Sequence, residues 1–490
     1  MDQGDHDLKS MKENGQECAP LTEALRKFVN RRPVYFCIPG HRFDVGIPED
    51  LDGSCGGNII NFDLTEAPGL DDLHNAKGVL KEAQELLSEA YGSTFSRFLV
   101  NGTTCGIEAA ILSAVPEGEK ILLPRNAHRS VLSGLVLGGA VPVWMPPVTD
   151  GRFGFPTSVN PDTVREKLEN DYEIRAALIV SPTYYGSFSD IRKIAEICHS
   201  RQIPLIVDEA HGAHLYFSDL KECCAIPCGA DVSVMSAHKT LGAFGQSSYL
   251  HLNSRLIPVE RIDSALKMLM SSSPSYMLMA SLDSARRQAV LNGTAFYEKA
   301  CGIAERIREG AKNAGYPAYE GPKHDPARVV LSAEAAGMSG TELAELLFER
   351  YNIAVEMADR LNIVLVVTAA NERNDAETLI SALRDLKKED RERNPVTPFS
   401  IAGDLFSAIP EVRCSPREAY FARKKTVPLE EAAGYAAGEE VVVYPPGCAL
   451  LYPGEVIHEQ FIDTVRSCQA AGLTLQRGTS NDADTISVMI

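Results

Sequence analysis

The chain has 490 residues, of which 44% are hydrophobic and 23% charged, and its formal net charge is -18. A single core stops growing near about 250–300 residues, so this length implies several domains. The acidity disfavours a general affinity for nucleic acid or an anionic membrane surface, no stretch approaches the roughly 18 uninterrupted apolar residues of a membrane span, and the twelve cysteines are too scattered for a small disulfide framework.

The opening segment, MDQGDHDLKSMKENGQE, lacks the apolar run of a signal peptide and is too acidic for a mitochondrial presequence, so a cytoplasmic location is expected. Residues 1–50 read as an N-terminal arm. From about 95 to 250, short apolar runs alternate with helix-period segments, the pattern of β-α-β units around a buried, mainly parallel sheet. The expected strands are KILLP, VPVWM, AALIVS, IPLIVD and DVSVMS, nearly continuous in apolar residues as strands covered on both faces are. They define a wound α/β domain over 51–275.

Four motifs in this domain carry chemistry. In LVNGTTCGIEAAILSA a Gly-containing turn opens a helix, with Thr103, Thr104 and Gly106 at its start. Backbone N–H groups at a helix N-terminus bind phosphate and hydroxyls add donors, although a threonine there also serves simply as a cap. In LLPRNAHRSV, His128 follows a strand and either lies against a flat aromatic cofactor or caps the next helix.

The run LIVDEAHGAH delivers Asp208 to the carboxyl end of a strand, where ligands of open α/β sheets bind. A carboxylate there can pair with the pyridine nitrogen of pyridoxal phosphate and keep it protonated, so that the ring accepts the electrons of a breaking bond. The cluster Asp208, Glu209, His211 and His214 also admits a metal reading, which we set below the first. In SVMSAHKTLGAFGQSS, a strand ends at Ser236, and His238 and Lys239 follow; such a lysine can form an imine with an aldehyde cofactor. Each motif alone has a plain structural explanation. Phosphate cradle, stacking histidine, ring aspartate and lysine, in that chain order and each at a strand end, point together to one cofactor and no metal.

Downstream, SYMLMASLDSARRQAV and AFYEKACGIAERIREGAKNAG read as long helical stretches and NIVLVVTA as a strand, which makes 276–392 a smaller α+β domain. The charged run KKEDRERNP from 387 gives way to segments containing PREAY, YPPG and YPGE, and this composition shift marks a C-terminal α+β unit over 393–490.

The motifs FCIPGHRFDVGIP, DLTEAPGLDDLHNAKG, FLVNGTTCGIEAA, RNAHRSV, SPTYYG, DEAHGAH, SAHKTL, SSSPSYMLMASLDSAR, SPREAYFA, YPPG and PGE, in this order, resemble the Orn/Lys/Arg decarboxylases, in the short form without the N-terminal wing domain. The resemblance spans nearly the whole chain. It implies an aspartate-aminotransferase-like (fold type I) large domain with a mainly parallel, seven-stranded-type sheet. It further implies that Lys239 holds pyridoxal 5'-phosphate, Asp208 pairs with its ring nitrogen and His128 stacks on its face. Thr103, Thr104, Ser236 and His238 would anchor the phosphate, His211 would lie close by, and Thr183 would line the same pocket.

Family architecture implies a homodimer with active sites at the interface, where Ser273 of the neighbouring chain reaches the phosphate. Glu455, in the PGE motif, is the expected partner of the substrate's distal cation. The sequence around the lysine, GAFGQSS, is richer in glycine than the family pattern, which bears on the local loop. The activity so implied is decarboxylation of a basic amino acid, arginine before lysine or ornithine, to the amine and carbon dioxide in polyamine metabolism. The rival readings are an aminotransferase or carbon–carbon lyase on the same scaffold, and an inactive homologue that acts as a regulatory partner.

Overall fold

The structure is a computed structural model that describes residues 15–31, 33, 59–388, 409–444, 448–470, 474–478, 482 and 484–490. The motif FCIPGHRFDVGIP, most of the expected arm over 1–50, most of KKEDRERNP and the prolines of YPPG lie outside the described residues. The chain divides into two compact units, Met1–Ser113 with Asp208–Thr294, and Ala114–Val207 with Ala295–Ile490.

The first nine strands are β1 (Phe95–Leu99), β2 (Lys120–Pro124), β3 (Val141–Met145), β4 (Val148–Thr149), β5 (Pro156–Ser158), β6 (Ile174–Val180), β7 (Leu205–Asp208), β8 (Val232–Ser236) and β9 (Ser248–Leu252). Seven of them form the mostly parallel central sheet of an α/β fold, and β4 with β5 makes a two-stranded ribbon.

In the first unit β9 pairs antiparallel with β1, Ser96 opposite His251, and with β8, Ser236 opposite Ser248. Helix Gly102–Ala114 follows β1 and buries Cys105, Gly106, Ile107, Ala109, Ala110 and Ile111, its small residues allowing close approach. A Cβ on Gly106 would stand 2.4 Å from a methyl of Val234 and 2.6 Å from one of Leu99, so glycine is what lets this helix sit on β8 and β1. In the second unit β2 pairs in parallel with β3 and with β6.

The two predicted helical stretches after 275 are one continuous helix, Tyr276–Asn313. In the second unit β10 (Arg328–Ser332), β11 (Met357–Ala358) and β12 (Asn362–Val366) form an antiparallel sheet in the order β10-β12-β11. Further on, β13 (Lys424–Pro428) pairs with β17 (Thr485–Met489), while β14 (Val441–Tyr444) lies between β15 (Cys448–Leu451) and β16 (Thr474–Arg477). Val427, Leu429, Val441, Leu451, Ile457, Val465, Ile486 and Val488 make their shared core. Among the described residues no helix is long and apolar enough to cross a membrane.

Candidate active site

The first unit gathers most of the expected residues at the carboxyl ends of its strands. β8 ends at the buried Ser236, and a single helical turn, Ala237–Thr240, carries His238 and Lys239. Lys239 Nζ lies 3.1 Å from Nε2 of the buried His211. β7 ends at the buried Asp208, whose Oδ1 accepts the N–H of Ala210 at 3.2 Å. The carbonyl of Ala210 in turn accepts the N–H of Ser236 at 3.3 Å, so the loop bearing Asp208 and His211 is laced to the end of the strand that delivers Lys239.

Below this loop Glu209 is fully buried. It accepts from Ser233 Oγ at 2.7 Å, Tyr216 Oη at 3.0 Å and the N–H of Ala225 at 3.0 Å. Burial pushes its carboxyl up to about 7, against the pull of those donors. The neighbours Asp208 and Glu209 thus point to opposite tasks, one at the strand edge and one clamping the loop from within.

Thr103 opens helix Gly102–Ala114, and its hydroxyl stands 2.7 Å from that of Ser236 and 3.1 Å from that of Ser248. Gly102 has φ 75°, a left-handed conformation that suits glycine, and its N–H donates to the carbonyl of Gln246 at 2.9 Å. Thr104 is exposed in the first turn. His238 Nδ1 lies 2.9 Å from the carbonyl of Ser247, which can only accept, so this nitrogen carries the proton. Burial lowers the affinity of His238 for a second proton, the Ser247 carbonyl opposes this, and the charge on Lys239 adds to it. Ser273 lies on an exposed turn, its N–H donating to Ser271 Oγ at 3.2 Å.

The second unit holds the other three. His128 is exposed, and its Nδ1 accepts the N–H of Ser130 at 3.2 Å, so the ring caps helix Ser130–Gly138 and carries a proton, when neutral, on Nε2. Thr183 is buried in the turn 181–187, its Oγ1 accepting the N–H of Ser187 at 3.2 Å. Glu455 is buried; its carboxylate faces Arg125 at 2.5 Å and accepts the N–H of Tyr452 at 2.8 Å. This carboxylate already has one cationic partner, Arg125, within the second unit.

Sequence reasoning missed Ser248, Gln246 and the Glu209 clamp. The first two belong to β9 and its approach, a strand whose buried polar residues hide its pattern. The DEA motif did carry the signal for the third.

The mostly parallel sheet, with lysine and aspartate at its strand ends, is the architecture of fold-type I enzymes. The structure superposes on a Francisella novicida lysine decarboxylase with a TM-score of 0.83 at 20% identity, over 96% of this chain and 81% of that one. It superposes on a Sphingomonas wittichii serine palmitoyltransferase with a TM-score of 0.54 at 15% identity, over 66% and 79% of the two chains. Residues 19–315 match the model for the Orn/Lys/Arg decarboxylase major domain and 400–473 the model for the C-terminal domain of that family. The arginine decarboxylase of Bacillus subtilis is 34% identical over 472 residues, 94% of this chain and 96% of its own. The chain belongs to the Orn/Lys/Arg decarboxylase family and is an enzyme of the decarboxylase class.

Family and fold imply pyridoxal 5'-phosphate, and the residues of the first unit fit it. The amine of Lys239 suits an aldehyde, the buried carboxyl of Asp208 suits a protonated ring nitrogen, and the Thr103 hydroxyl at the start of a 13-residue helix, beside that of Ser236, suits a phosphate.

Proposed function

We propose that this chain removes the carboxyl group of a basic amino acid, arginine first and lysine or ornithine after it, releasing carbon dioxide and the corresponding amine in polyamine metabolism. The observation that carries the reading is the group Lys239–His211–Asp208 at adjoining strand ends of a chain 34% identical to arginine decarboxylases over nearly its full length. We further propose a cytoplasmic homodimer, built from an arm (1–50), a cofactor-binding domain (51–275), a small domain (276–392) and a C-terminal domain (393–490).

Bound pyridoxal 5'-phosphate supplies the electron sink that makes loss of carbon dioxide from an α-carbon feasible. In our reading Lys239 holds it and Asp208 keeps its ring nitrogen protonated by charge pairing. His128 and Thr183 would help to hold it. Thr103, Thr104, Ser236 and His238, with Ser273 of a second copy, hold the phosphate. Because His238 already donates from Nδ1, it must carry a proton on Nε2 to bind an anion, which a nearby dianion favours. His211 Nε2, at 3.1 Å from Lys239 Nζ, exchanges a proton with the lysine, and one of the two returns a proton to the substrate carbon.

The test is carbon dioxide release by the cofactor-loaded protein offered arginine, lysine and ornithine separately, with each amine product identified. Release from arginine, lost in Lys239→Ala together with the cofactor's absorbance on the protein, is the expected result. Keto-acid formation without carbon dioxide would establish an aminotransferase instead, and a Lys239→Ala protein that still turned over would reject the lysine assignment.

A further inference from the structure

Two segments of the first unit, about 200 residues apart in sequence, are fastened together by side chains that the proposed chemistry does not use. The first centres on Asp71, which holds a left-handed backbone at φ 69°, uncommon for a residue with a Cβ. Its carboxylate accepts Gly78 N–H at 2.7 Å, Leu80 N–H at 3.2 Å, and the N–H groups of Asp72 and Lys77 at 3.0 Å. These donors include one from the first turn of helix Val79–Tyr91, so the residue ties the loop 71–78 into a knot and caps the helix. Burial works to raise this carboxyl and the four N–H groups outweigh it, so the group stays below the usual range.

The knot has two arms that reach outward. The carbonyl of Asp71 accepts the hydroxyl of the buried Tyr276, first residue of the long helix, and His74 Nε2 donates to the carbonyl of Ser271 at 2.8 Å. Between those two anchors run residues 271–275, where Ser271, Ser272 and Ser273 are exposed. A helix cap alone would need neither arm. A clamp on both ends of an exposed serine turn makes sense when one of those serines must stand at a defined place.

We infer that Asp71 and His74 are positioning residues that set the Ser271–Ser273 turn and, through Ser273, the grip of a second copy on the cofactor's phosphate. This inference rests on the reading above that Ser273 acts across the dimer. His74→Ala removes one arm and leaves the web of N–H groups around Asp71 in place.

Two measurements separate the clamp from the reading it rests on. Amide hydrogen exchange of 271–275 reports the turn itself and is expected to quicken in His74→Ala, with the urea unfolding midpoint unchanged. Titration of the apoprotein with pyridoxal 5'-phosphate reports the phosphate grip; loss of one hydrogen bond's worth of order is expected to weaken binding about 5- to 10-fold. Ser273→Ala should weaken it similarly, and the double variant no further.

A hybrid dimer of Lys239→Ala and His74→Ala subunits should recover one site of wild-type affinity, because the intact lysine then faces an intact clamp in the other copy. Unchanged exchange in the turn overturns the clamp. Quickened exchange with wild-type cofactor affinity, or a hybrid without a restored site, overturns the role of Ser273 across the dimer and the inference with it.

Discussion

Arg125 and Glu455 form a buried ion pair in the second unit, Nη1 to Oε1 at 2.5 Å, with each side chain only 1% exposed. Arg125 directly follows β2 and Glu455 lies in the PGE turn of the C-terminal segment. The guanidinium also donates from Nη2 to the carbonyl of Leu450 at 2.9 Å and lies about 5 Å from the rings of Trp144 and Tyr452, which stack at 4.3 Å. Carboxylate, carbonyl and two aromatic faces offset the cost of burying this cation, although its Nε is left without a hydrogen-bond partner among the described residues.

Removing one member of this pair leaves the other buried without its counter-charge. Glu455→Ala is expected to destabilise the second unit by about 3–5 kcal/mol, whereas Arg125→Met with Glu455→Leu together should recover most of the loss. Urea unfolding of the three proteins checks this. The KM for arginine should stay near wild type in Glu455→Gln; a KM raised 100-fold with unchanged unfolding would return Glu455 to the substrate.

Asp208→Asn removes a charge from the strand edge and leaves the shape. Pyridoxal 5'-phosphate should still bind, with turnover reduced on the order of 10²–10³-fold, the usual cost of deleting one preorganised electrostatic partner. Normal turnover in this variant would refute the pairing with the ring nitrogen.

Glu209 and His251 impose opposite pH dependences on stability. Glu209 titrates near 7 in the fold against 4.5 ordinarily, so its protonated form is favoured by folding. Its contribution is complete below pH 4.5 and lost as pH rises through 7. His251 is buried beside Ser96 Oγ at 2.8 Å, and burial lowers it from 6.5 to about 3. Its contribution is complete above pH 6.5 and lost as pH falls through 3. Between 4.5 and 6.5 the two slopes oppose each other, so the wild type should look flatter than either variant. Unfolding midpoints should rise with pH in Glu209→Gln and fall with pH in His251→Phe over that interval.

Gly106→Ala places a methyl into Val234 and Leu99, both at the core of the first unit. The expected cost is about 1–3 kcal/mol from overpacking. Because the helix must back away from β8, the Thr103–Ser236 contact lengthens, and cofactor affinity should fall more than in an alanine variant at a surface glycine such as Gly302, whose Cβ would meet nothing within 4 Å.

KILLP and VPVWM coincide with β2 and β3, and the other three predicted runs overlap β6, β7 and β8. Those strands are legible because burial on both faces demands unbroken apolar runs. FSRFL and SYLHL, which are β1 and β9, carry buried Ser96, Ser248 and His251 that pair with one another or with Thr103, so their burial leaves no hydrophobic trace. The strand-end residues Asp208, Ser236 and Lys239 could be located once their strands were. Ser248 could not, for the same reason that β9 could not. The Asp71 knot was hidden differently: its partners are backbone N–H groups, which every residue but proline offers and no motif spells out.

The three hydroxyls of Ser236, Thr103 and Ser248 form a chain with Thr103 in the middle. Three protons serve two internal contacts, which leaves one over; Ser236 and Ser248 are buried, and the half-buried Thr103 offers it outward when both serines donate to Thr103. Which hydroxyl carries the spare proton changes by rotation about C–O bonds alone, so the trio can switch its donor without moving a carbon atom.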